Sequence, residues 1–254
     1  MTSKLHSREP KNQSSSDLSQ FERIDSFFLE DLGSVFNKIE SFPKYVTRQS
    51  LAKFLTKYEI FKKILHVNGS IIEAGVLHGG GTLAWGKLSS ILEPTNHTRK
   101  IFGFDTFEGF PSVDQKDKND TDGSLVNVGE LKGSTFESVV EAISIYDENR
   151  PLSHIPKVQL VKGDIEKTVP SFIKKNPHLV VSMLYLDADL YTPTKIMLEA
   201  FLPKMPKGAI VVFDELNAKM FPGETIAVEE VVGINNLEIK RFPFDSYVSY
   251  AVIT

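Results

Sequence analysis

The spacing of apolar residues divides the chain into three parts. Residues 1–20 are polar, with three consecutive serines, so burial cannot offset the entropy of ordering them and we expect a loose tail. From 21 to 67 apolar residues recur at helical spacing, which predicts a helical cap of amphipathic helices broken near Phe42-Pro43. Such a stripe normally packs on a core, although a lid over a substrate is the alternative. Residues 68–254 are predicted to form the main domain.

Short apolar runs alternate with longer helix-like stretches throughout this main domain. Runs that are apolar on both faces and separated by amphipathic segments are typical of a parallel sheet covered by helices. Residues 237–242 and 247–254 predict a strand pair that closes one edge. We therefore expect an α/β fold, a doubly wound and mostly parallel sheet with an antiparallel C-terminal strand, plus N-terminal helices. The five parallel runs are Ser70–Ile72, Ile101–Phe104, Val158–Val161, Val180–Leu186 and Ala209–Phe213.

A carboxylate follows each of these runs, at once or within a few residues. In an open parallel sheet, ligands bind beyond the carboxyl ends of the strands, so such acids converge on one cleft. A single acid after a strand is commonly a helix N-cap or a turn residue. Five in register indicate a binding site instead: Glu73, Asp105, Asp164, Asp187 and Asp214.

Composition excludes several classes of protein. The 29 basic and 33 acidic residues give a net charge of −4, which argues against a nucleic-acid partner. Cysteine is absent, so disulfides and thiolate chemistry are excluded, and a reducing compartment is favoured. The pattern predicts neither a membrane span nor a signal peptide. We expect a cytoplasmic protein that works without a membrane.

A glycine-containing loop, Glu73 to Thr82, follows the first predicted strand. Its glycines allow the backbone to approach a ligand and leave helix N–H groups for an anion such as a ligand carboxylate. Leu77 occupies the place of the second glycine of the dinucleotide motif, which counts against a nicotinamide or flavin enzyme. An acid two residues before the first glycine matches the opening motif of S-adenosylmethionine-dependent methyltransferases. A purely structural tight turn is the alternative.

Two later acids are candidates for the same ligand. Asp105 ends the next predicted strand, where a carboxylate can accept both hydroxyls of a ribose. Asp164 is placed for the adenine edge, but it can equally cap the helix predicted over 166–173, and the two roles are compatible.

With these residues in place, the sequence resembles the macrocin O-methyltransferase family, the magnesium-dependent sugar O-methyltransferases of antibiotic biosynthesis. The resemblance covers roughly residues 68–230, and its most specific part is the second of four pieces. The matching pieces are Glu73-Ala74-Gly75-Val76 followed by Gly79-Gly80, then Phe104 to Pro111, then Leu186 to Tyr191, then Gly208 to Glu215.

The resemblance implies a class I methyltransferase fold of Rossmann type, with S-adenosylmethionine and Mg²⁺ as cofactors. It implies that Asp187, Asp214 and Glu215 bind the metal and that Asp189 is the general base. This sequence departs from the family pattern at three places. Asp214-Glu215 replaces Asp-Asp, which keeps an oxygen ligand on a longer arm, whereas Leu77-His78 in place of Trp-Arg and Glu224-Thr225 in place of Cys-Arg concern the acceptor side. The residues expected to hold the donor are Glu73, Gly75, Val76, Gly79, Thr82, Asp105, Thr106, Asp164 and Asp187.

Charge repulsion among these acids points to a metal independently of any family. Four neighbouring carboxylates (Asp187, Asp189, Asp214 and Glu215) raise one another's pKa unless a cation neutralises them. Carboxylates are ligands of hard divalent ions, and the sequence offers neither cysteine nor a histidine pair for a softer metal, so Mg²⁺ is preferred. A solvated acidic rim without metal is the alternative. A sugar hydroxyl is a weak acid, and a cation together with Asp189 would help to remove its proton.

The leading hypothesis is therefore an O-methyltransferase for a hydroxyl of a sugar or a glycosylated natural product. An enzyme for a catechol or another vicinal diol is one alternative, and a non-catalytic S-adenosylmethionine-binding protein is another. A homodimer is expected by analogy. His78 is expected to donate or accept a hydrogen bond or to face the acceptor, Trp85 to lie in the core, and the charged loop 114–122 to be able to fold over the acceptor.

Overall fold

The computed structural model describes residues 14–118 and 126–254. Residues 1–13 of the expected tail and 119–122 of the expected loop lie outside this range. The described residues fall into two compact units, one ending at Phe54 and the other running from Leu55 to Thr254. None of the helices in the described ranges is both long and apolar enough to cross a membrane.

The smaller unit is helical. Helix α1 (Ser15–Glu30) is followed by α2 (Val35–Glu40), and α3 (Arg48–Ile64) runs into the larger unit. The expected tail differs from the structure from Ser15 on, because a nucleated helix extends through polar residues at little cost. The predicted break at Phe42-Pro43 is a short 3₁₀ turn, and a second break at 31–34 contains Gly33 with φ +137°.

The larger unit is built on a seven-stranded sheet within the described residues. Its strand order is β3-β2-β1-β4-β5-β7-β6, and β1 to β5 pair in parallel, whereas β7 is antiparallel to β5 and β6. This confirms the predicted fold class. The strands are β1 (Ser70–Ala74), β2 (Ile101–Asp105), β3 (Val158–Lys162), β4 (Val181–Leu186), β5 (Ile210–Phe213), β6 (Lys240–Arg241) and β7 (Ser249–Val252).

The last strand pair is shorter than predicted. Only two residues of the run 237–242 pair with β7, because a short 3₁₀ turn over Ile234–Asn236 precedes them and a turn at 243–245 follows. Both residues of β6 are exposed, and this strand ends the sheet, where a short, charged edge disfavours pairing with another chain.

Helices cover both faces of the sheet. They are α4 (Gly80–Leu92), α5 (Phe136–Glu148), α6 (Ile165–Lys175), α7 (Tyr191–Phe201) and α8 (Pro222–Val231). One face packs against α6, α7 and α8 around residues such as Leu184, Leu186 and Phe213. The opposite face packs against α3 and α4 around Trp85 and Tyr185, so Trp85 is a core residue, as predicted.

The C-terminal half of helix α3 packs against this second face of the sheet. Ile60, Phe61 and Ile64 are fully buried there. Their spacing of three and four residues places them on one side of the helix. The predicted stripe included Phe61 but not Ile60 or Ile64, and it included Phe54 and Leu55, which are exposed. The boundary between the compact units therefore lies at Phe54, inside α3, and not at residue 67 as expected from the sequence.

Candidate functional site

Strand register places two of the predicted acids side by side. Tyr185 of β4 is in register with Val212 of β5, and the ladder continues beyond the strands through the hydrogen bond from the Asp214 N–H to the Leu186 carbonyl, 3.0 Å. Side chains alternate between the faces of a sheet. Asp187 and Asp214, two residues beyond this pair, therefore lie on the same face as Tyr185.

Asp187, Asp214 and Glu215 form a compact group, called here the three-acid group. Each offers one carboxylate oxygen, and the three oxygens lie within 4.8 Å of one another. Asp214 and Glu215 are buried, with 1% and 0% of their surface exposed, and Asp187 is half-buried. Carboxylates this close and this dry need a compensating positive charge. An all-oxygen donor set of this kind fits a hard divalent cation such as Mg²⁺.

Glu224 is a fourth acid at this place, on α8. It is fully buried, and its Oε1 accepts a hydrogen bond from the backbone N–H of Glu215 at 3.0 Å. Its Oε2 has no hydrogen-bond partner among residues 14–118 and 126–254. Burial, followed by the charge of Asp214, raises the pKa of Glu224 well above its ordinary value. Glu224, one of the residues at which the sequence departs from the family pattern, therefore contacts the predicted metal ligand Glu215.

Asp189, the predicted general base, has a strained backbone. Its φ is +60°, in the left-handed region that favours glycine. The residue is half-buried, just before α7, and its charge contributes to the raised pKa of Glu224. Strained residues of this kind are found preferentially at functional sites, where the surrounding structure holds them.

The glycine loop between β1 and α4 lies directly beside the three-acid group. Gly75 has φ +90°, and a Cβ at this position would meet the carbonyl oxygen of Asp187 at 1.8 Å. Gly79 has φ +81° and is the N-cap residue of α4, so the N–H groups of the first turn face the loop. Val76 is buried and packs on Phe107. The loop thus leads into a helix N-terminus, as predicted, and the close approach that Gly75 allows is to the backbone of Asp187; approach to a ligand stays a prediction.

Asp105 holds this loop from the neighbouring strand. Its Oδ2 accepts hydrogen bonds from the N–H groups of Val76 and Leu77 at 2.7 and 2.9 Å, and its Oδ1 accepts one from Phe107 at 2.7 Å. A carboxylate offers about four acceptor positions, so three of them are used by the backbone. The sequence missed this structural role, and ribose binding by Asp105 stays a prediction.

Glu73 and Thr82 are engaged with each other. Glu73 accepts hydrogen bonds from the Thr82 hydroxyl and, at 3.0 Å, from Trp85 Nε1. Burial raises the pKa of Glu73, while the charge of Lys57 and these hydrogen bonds lower it. Glu73 is 1% exposed and lies inside β1 rather than after it. The hydrogen bonds between Glu73 and α4 hold the helix against β1, and contact of Glu73 or Thr82 with a donor stays a prediction.

The remaining predicted donor residues have local roles. Asp164 is the N-cap of α6 and accepts a hydrogen bond from the Glu166 N–H at 3.0 Å, so its capping role is confirmed and its adenine role stays a prediction. The Thr106 hydroxyl donates to the Gly109 carbonyl at 2.6 Å within the turn after β2. His78 Nδ1 lies 3.0 Å from the Ser134 hydroxyl, which is the hydrogen-bonding role expected for it.

The loop after β2 is anchored near the site. Buried Asp117 accepts hydrogen bonds from the N–H of Tyr191 at 2.6 Å and from that of Asp114 at 2.9 Å. Lys116 forms an ion pair with Glu230 of α8 at 2.6 Å. The described part of the charged loop, residues 114–118, is therefore tied to α7 and α8, and its ability to fold over an acceptor stays a prediction.

Sequence reasoning missed two further residues near the three-acid group. Tyr185 donates a hydrogen bond to Asp214 Oδ1 at 2.7 Å, and Lys57 Nζ donates one to Tyr185 Oη at 2.9 Å. Tyr185 lies within the apolar run that predicted β4, so nothing in the sequence distinguishes it from a core residue. The available signal for Lys57 was its position: it lies three and four residues before Ile60 and Phe61, and so on the same side of α3 as these buried residues.

Comparison with known proteins identifies relatives of this chain. The profile of the macrocin-O-methyltransferase (TylF) family matches residues 49–240. The crystal structure of CalS11, a calicheamicin methyltransferase, is 30% identical and superposes with a TM-score of 0.90, covering 95% of this chain and 94% of that one. An apo structure of CalS11, described as a TDP-rhamnose 3'-O-methyltransferase of calicheamicin biosynthesis, is 28% identical, with a TM-score of 0.81 and coverage of 95% and 96%.

Two more distant matches agree with these. The O-methyltransferase NovP shares the fold, with 20% identity, a TM-score of 0.61 and 80% of each chain covered. A curated relative from Streptomyces olivaceus, 8-demethyl-8-(2,3-dimethoxy-alpha-L-rhamnosyl)-tetracenomycin-C 4'-O-methyltransferase, is 25% identical over 150 residues. That match covers 59% of this chain, which spans about half (53%) of the relative's length. The predicted methyltransferase fold is confirmed. The predicted enzyme class is confirmed as well, because the matching family and the named relatives are methyltransferases.

Proposed function

Because the chain belongs to the macrocin-O-methyltransferase family, we propose that it transfers a methyl group from S-adenosylmethionine to a sugar hydroxyl with the help of a divalent cation. The observation that carries this proposal is the three-acid group, whose carboxylate oxygens lie within 4.8 Å of one another beside the glycine loop. The match of the family profile to residues 49–240 confirms the resemblance inferred from the sequence.

Asp187, Asp214 and Glu215 would hold the cation, and Mg²⁺ is the ion that their oxygen ligands favour. When bound, the ion supplies positive charge that lowers the pKa of a nearby hydroxyl. Asp189 would accept the hydroxyl proton as the acceptor oxygen bonds to the methyl carbon, and the donor would leave as the neutral thioether once the bond from its sulfur to that carbon is broken. The chain's main contribution is to align donor and acceptor, and such positioning accounts for a large part of the rate of a two-substrate reaction.

Donor binding is proposed at the glycine loop and the ends of β2 and β3. The Gly79 cap leaves the N–H groups of α4 to face the donor's carboxylate. The close approach at Gly75 brings this loop within contact of Asp187, so donor and cation would be neighbours. Glu73, Val76, Thr82, Asp105, Thr106 and Asp164 complete the proposed set, either by contact or by holding the loop in place.

For the acceptor we propose a rhamnose-type deoxysugar, free as a nucleotide sugar or attached to an aglycone. Two relatives carry names that place their methyl group on a rhamnose, at the 3' and the 4' position. A rhamnose ring has neighbouring hydroxyls, as do catechols, which remain the alternative acceptor class. A homodimer also remains a prediction.

The test is methyl transfer from labelled S-adenosylmethionine in the presence of Mg²⁺, with TDP-rhamnose, a rhamnosylated aglycone and a catechol as separate acceptors. We expect a mass gain of one methyl group on a rhamnose hydroxyl and loss of the reaction with a chelator. Transfer to the catechol alone would replace the acceptor class. Donor binding without transfer to any hydroxylated acceptor would favour a binding protein.

Two variants assign the roles. Asp189→Asn should lower kcat by about 10²- to 10⁴-fold with donor affinity kept, because only proton removal is lost. Asp187→Ala should abolish stimulation by Mg²⁺. The control is Asp147→Asn, which removes an acid on α5 that pairs with Arg150 at 2.6 Å. If Asp189→Asn turns over like the control, Asp189 is not the base, and a wild type indifferent to Mg²⁺ refutes the metal site.

A further inference from the structure

A line of hydrogen bonds leads from helix α3 through the core to the three-acid group. Lys57 Nζ lies 2.9 Å from Tyr185 Oη, and Tyr185 Oη lies 2.7 Å from Asp214 Oδ1. Tyr185 is 1% exposed and packs with its ring 5.3 Å from that of Trp85. The last carboxylate of the line is one of the three proposed ligands of the cation, so the line ends at the proposed metal site.

The chemistry of the groups fixes the direction of each hydrogen bond. A lysine ammonium has donors and no acceptor, so its N–H must point to the lone pair of Tyr185 Oη. The phenolic hydrogen is then directed away from Lys57 and toward Asp214. A phenol is protonated at neutral pH and a carboxylate only accepts, so Tyr185 is the donor of this hydrogen bond.

Packing alone does not account for Lys57. It is half-buried, on the side of α3 that carries the buried residues Ile60, Phe61 and Ile64. Its ammonium is 4.1 Å from the ring centre of Tyr185 and 5.1 Å from that of Trp85. A cation in such a position is favoured by the ring faces and by the neighbouring acids, and an apolar residue would lose both interactions.

We propose that Tyr185 is a positioning residue for the divalent cation, because its hydrogen bond fixes the rotation of the Asp214 carboxylate, and that Lys57 orients Tyr185 through its own hydrogen bond. The inference rests on the proposed function for the presence of the cation at the three-acid group. Groups that hydrogen-bond to metal ligands orient them, and their loss typically weakens metal binding by about 10- to 100-fold.

The experiment measures metal binding to the full chain without turnover, by calorimetry with Mg²⁺ and by electron paramagnetic resonance with Mn²⁺. Tyr185→Phe removes only the hydroxyl and should weaken binding of both ions by about 10- to 100-fold. The matched control is Tyr146→Phe. Tyr146 is also a buried tyrosine of the same face, but its hydroxyl donates to the Gly86 carbonyl at 2.8 Å, so its loss should leave metal affinity within two-fold of wild type.

A second pair of variants tests Lys57 without a change in the sheet. Lys57→Met and Lys57→Gln both remove the positive charge, so any change in electrostatic repulsion toward the ion is the same in both. Glutamine keeps an N–H donor for Tyr185, and methionine does not. We expect Lys57→Gln to bind the ion at least about three-fold more tightly than Lys57→Met. This pair also tests the proposal if Tyr185→Phe does not fold.

The outcomes separate this inference from the proposed function. If the wild type binds the ions and folded Tyr185→Phe binds them equally well, the positioning role is refuted and the metal site stands. Equal affinities of the two Lys57 variants refute the orienting role of Lys57. A wild type that binds neither ion at millimolar concentration overturns the metal site and the inference together.

Discussion

Replacing Gly75 by alanine tests how tightly the glycine loop and the metal site are joined. The new Cβ would lie 1.8 Å from the carbonyl oxygen of Asp187, whereas real Cβ contacts are not closer than 3.0 Å, so one backbone must move by about 1.2 Å. The neighbour that meets the methyl group is backbone and not a flexible side chain, so the displacement passes to Asp187 itself.

The size of the effect follows from this displacement. A misplacement of about 1 Å at a reacting site can cost about 10²-fold in rate, so we expect kcat/KM for methyl transfer to fall by roughly 100-fold. Holding a non-glycine residue at φ +90° adds about 1–2 kcal/mol of strain. For a chain of this size, strain of that order lowers Tm by roughly 2–8 °C. Thermal unfolding and steady-state kinetics measure the two quantities.

Gly129→Ala is the matched control. Gly129 has φ +82°, but a Cβ there would have no atom within 4 Å among the described residues. This variant therefore carries the backbone strain without the clash and should lower Tm while leaving kcat/KM within about two-fold of wild type. If Gly75→Ala behaves like Gly129→Ala in both measurements, the close contact with Asp187 has no part in the site, and our account of the loop is refuted.

Three further predictions concern buried acids. Because the pKa of Glu73 is raised in the fold, its contribution to stability is complete below the ordinary value of 4.5 and is lost as pH rises through the folded pKa. Glutamine does not titrate, so the Tm of Glu73→Gln minus the Tm of the wild type should increase with pH above 4.5. A difference that stays constant with pH contradicts this. Glu224→Ala removes the acceptor for the Glu215 N–H and should weaken Mg²⁺ binding by about 10-fold in calorimetry, and unchanged affinity would show that Glu215 needs no support. Asp117→Ala leaves the buried N–H of Tyr191 without its acceptor and should cost about 1–3 kcal/mol in the free energy of unfolding measured with urea; a value near zero would mean that the loop after β2 is not anchored there.

Much of the fold could be predicted from the sequence because the main signals are local. Strands buried on both faces are continuous apolar runs, and for this reason β1, β2, β4 and β5 were found within one or two residues. Strand β3 lies at the edge of the sheet with Gln159 and Lys162 exposed, and its apolar residues were still enough to place it within one residue. The start of α1 was missed because polar residues give no periodic signal. The length of β6 was overestimated, since apolar alternation does not reveal how many residues of an edge strand have a partner.

The candidate site was only partly predictable. Acids that follow adjacent strands meet by topology, and so the positions of Asp187 and Asp214 in the sequence are enough to predict that they lie together. The hydrogen bonds of Asp105 to the glycine loop depend on the rotation of a single side chain, which no spacing encodes. Glu224 reaches Glu215 only because α8 is packed with α7 over the sheet, and this is a property of the tertiary structure.

The three N–H groups held by Asp105 have a consequence for how a ligand would be received. A flexible loop must give up conformational freedom when it closes on its ligand, and this loss weakens affinity. Here the turn after β1 is already hydrogen-bonded to Asp105 of the neighbouring strand. The conformational entropy of the turn is therefore lost on folding and not on ligand binding. If the donor binds at this turn, as proposed, it would meet a surface whose shape these hydrogen bonds already set, and substitution of Asp105 would weaken its binding even if the carboxylate never touched it.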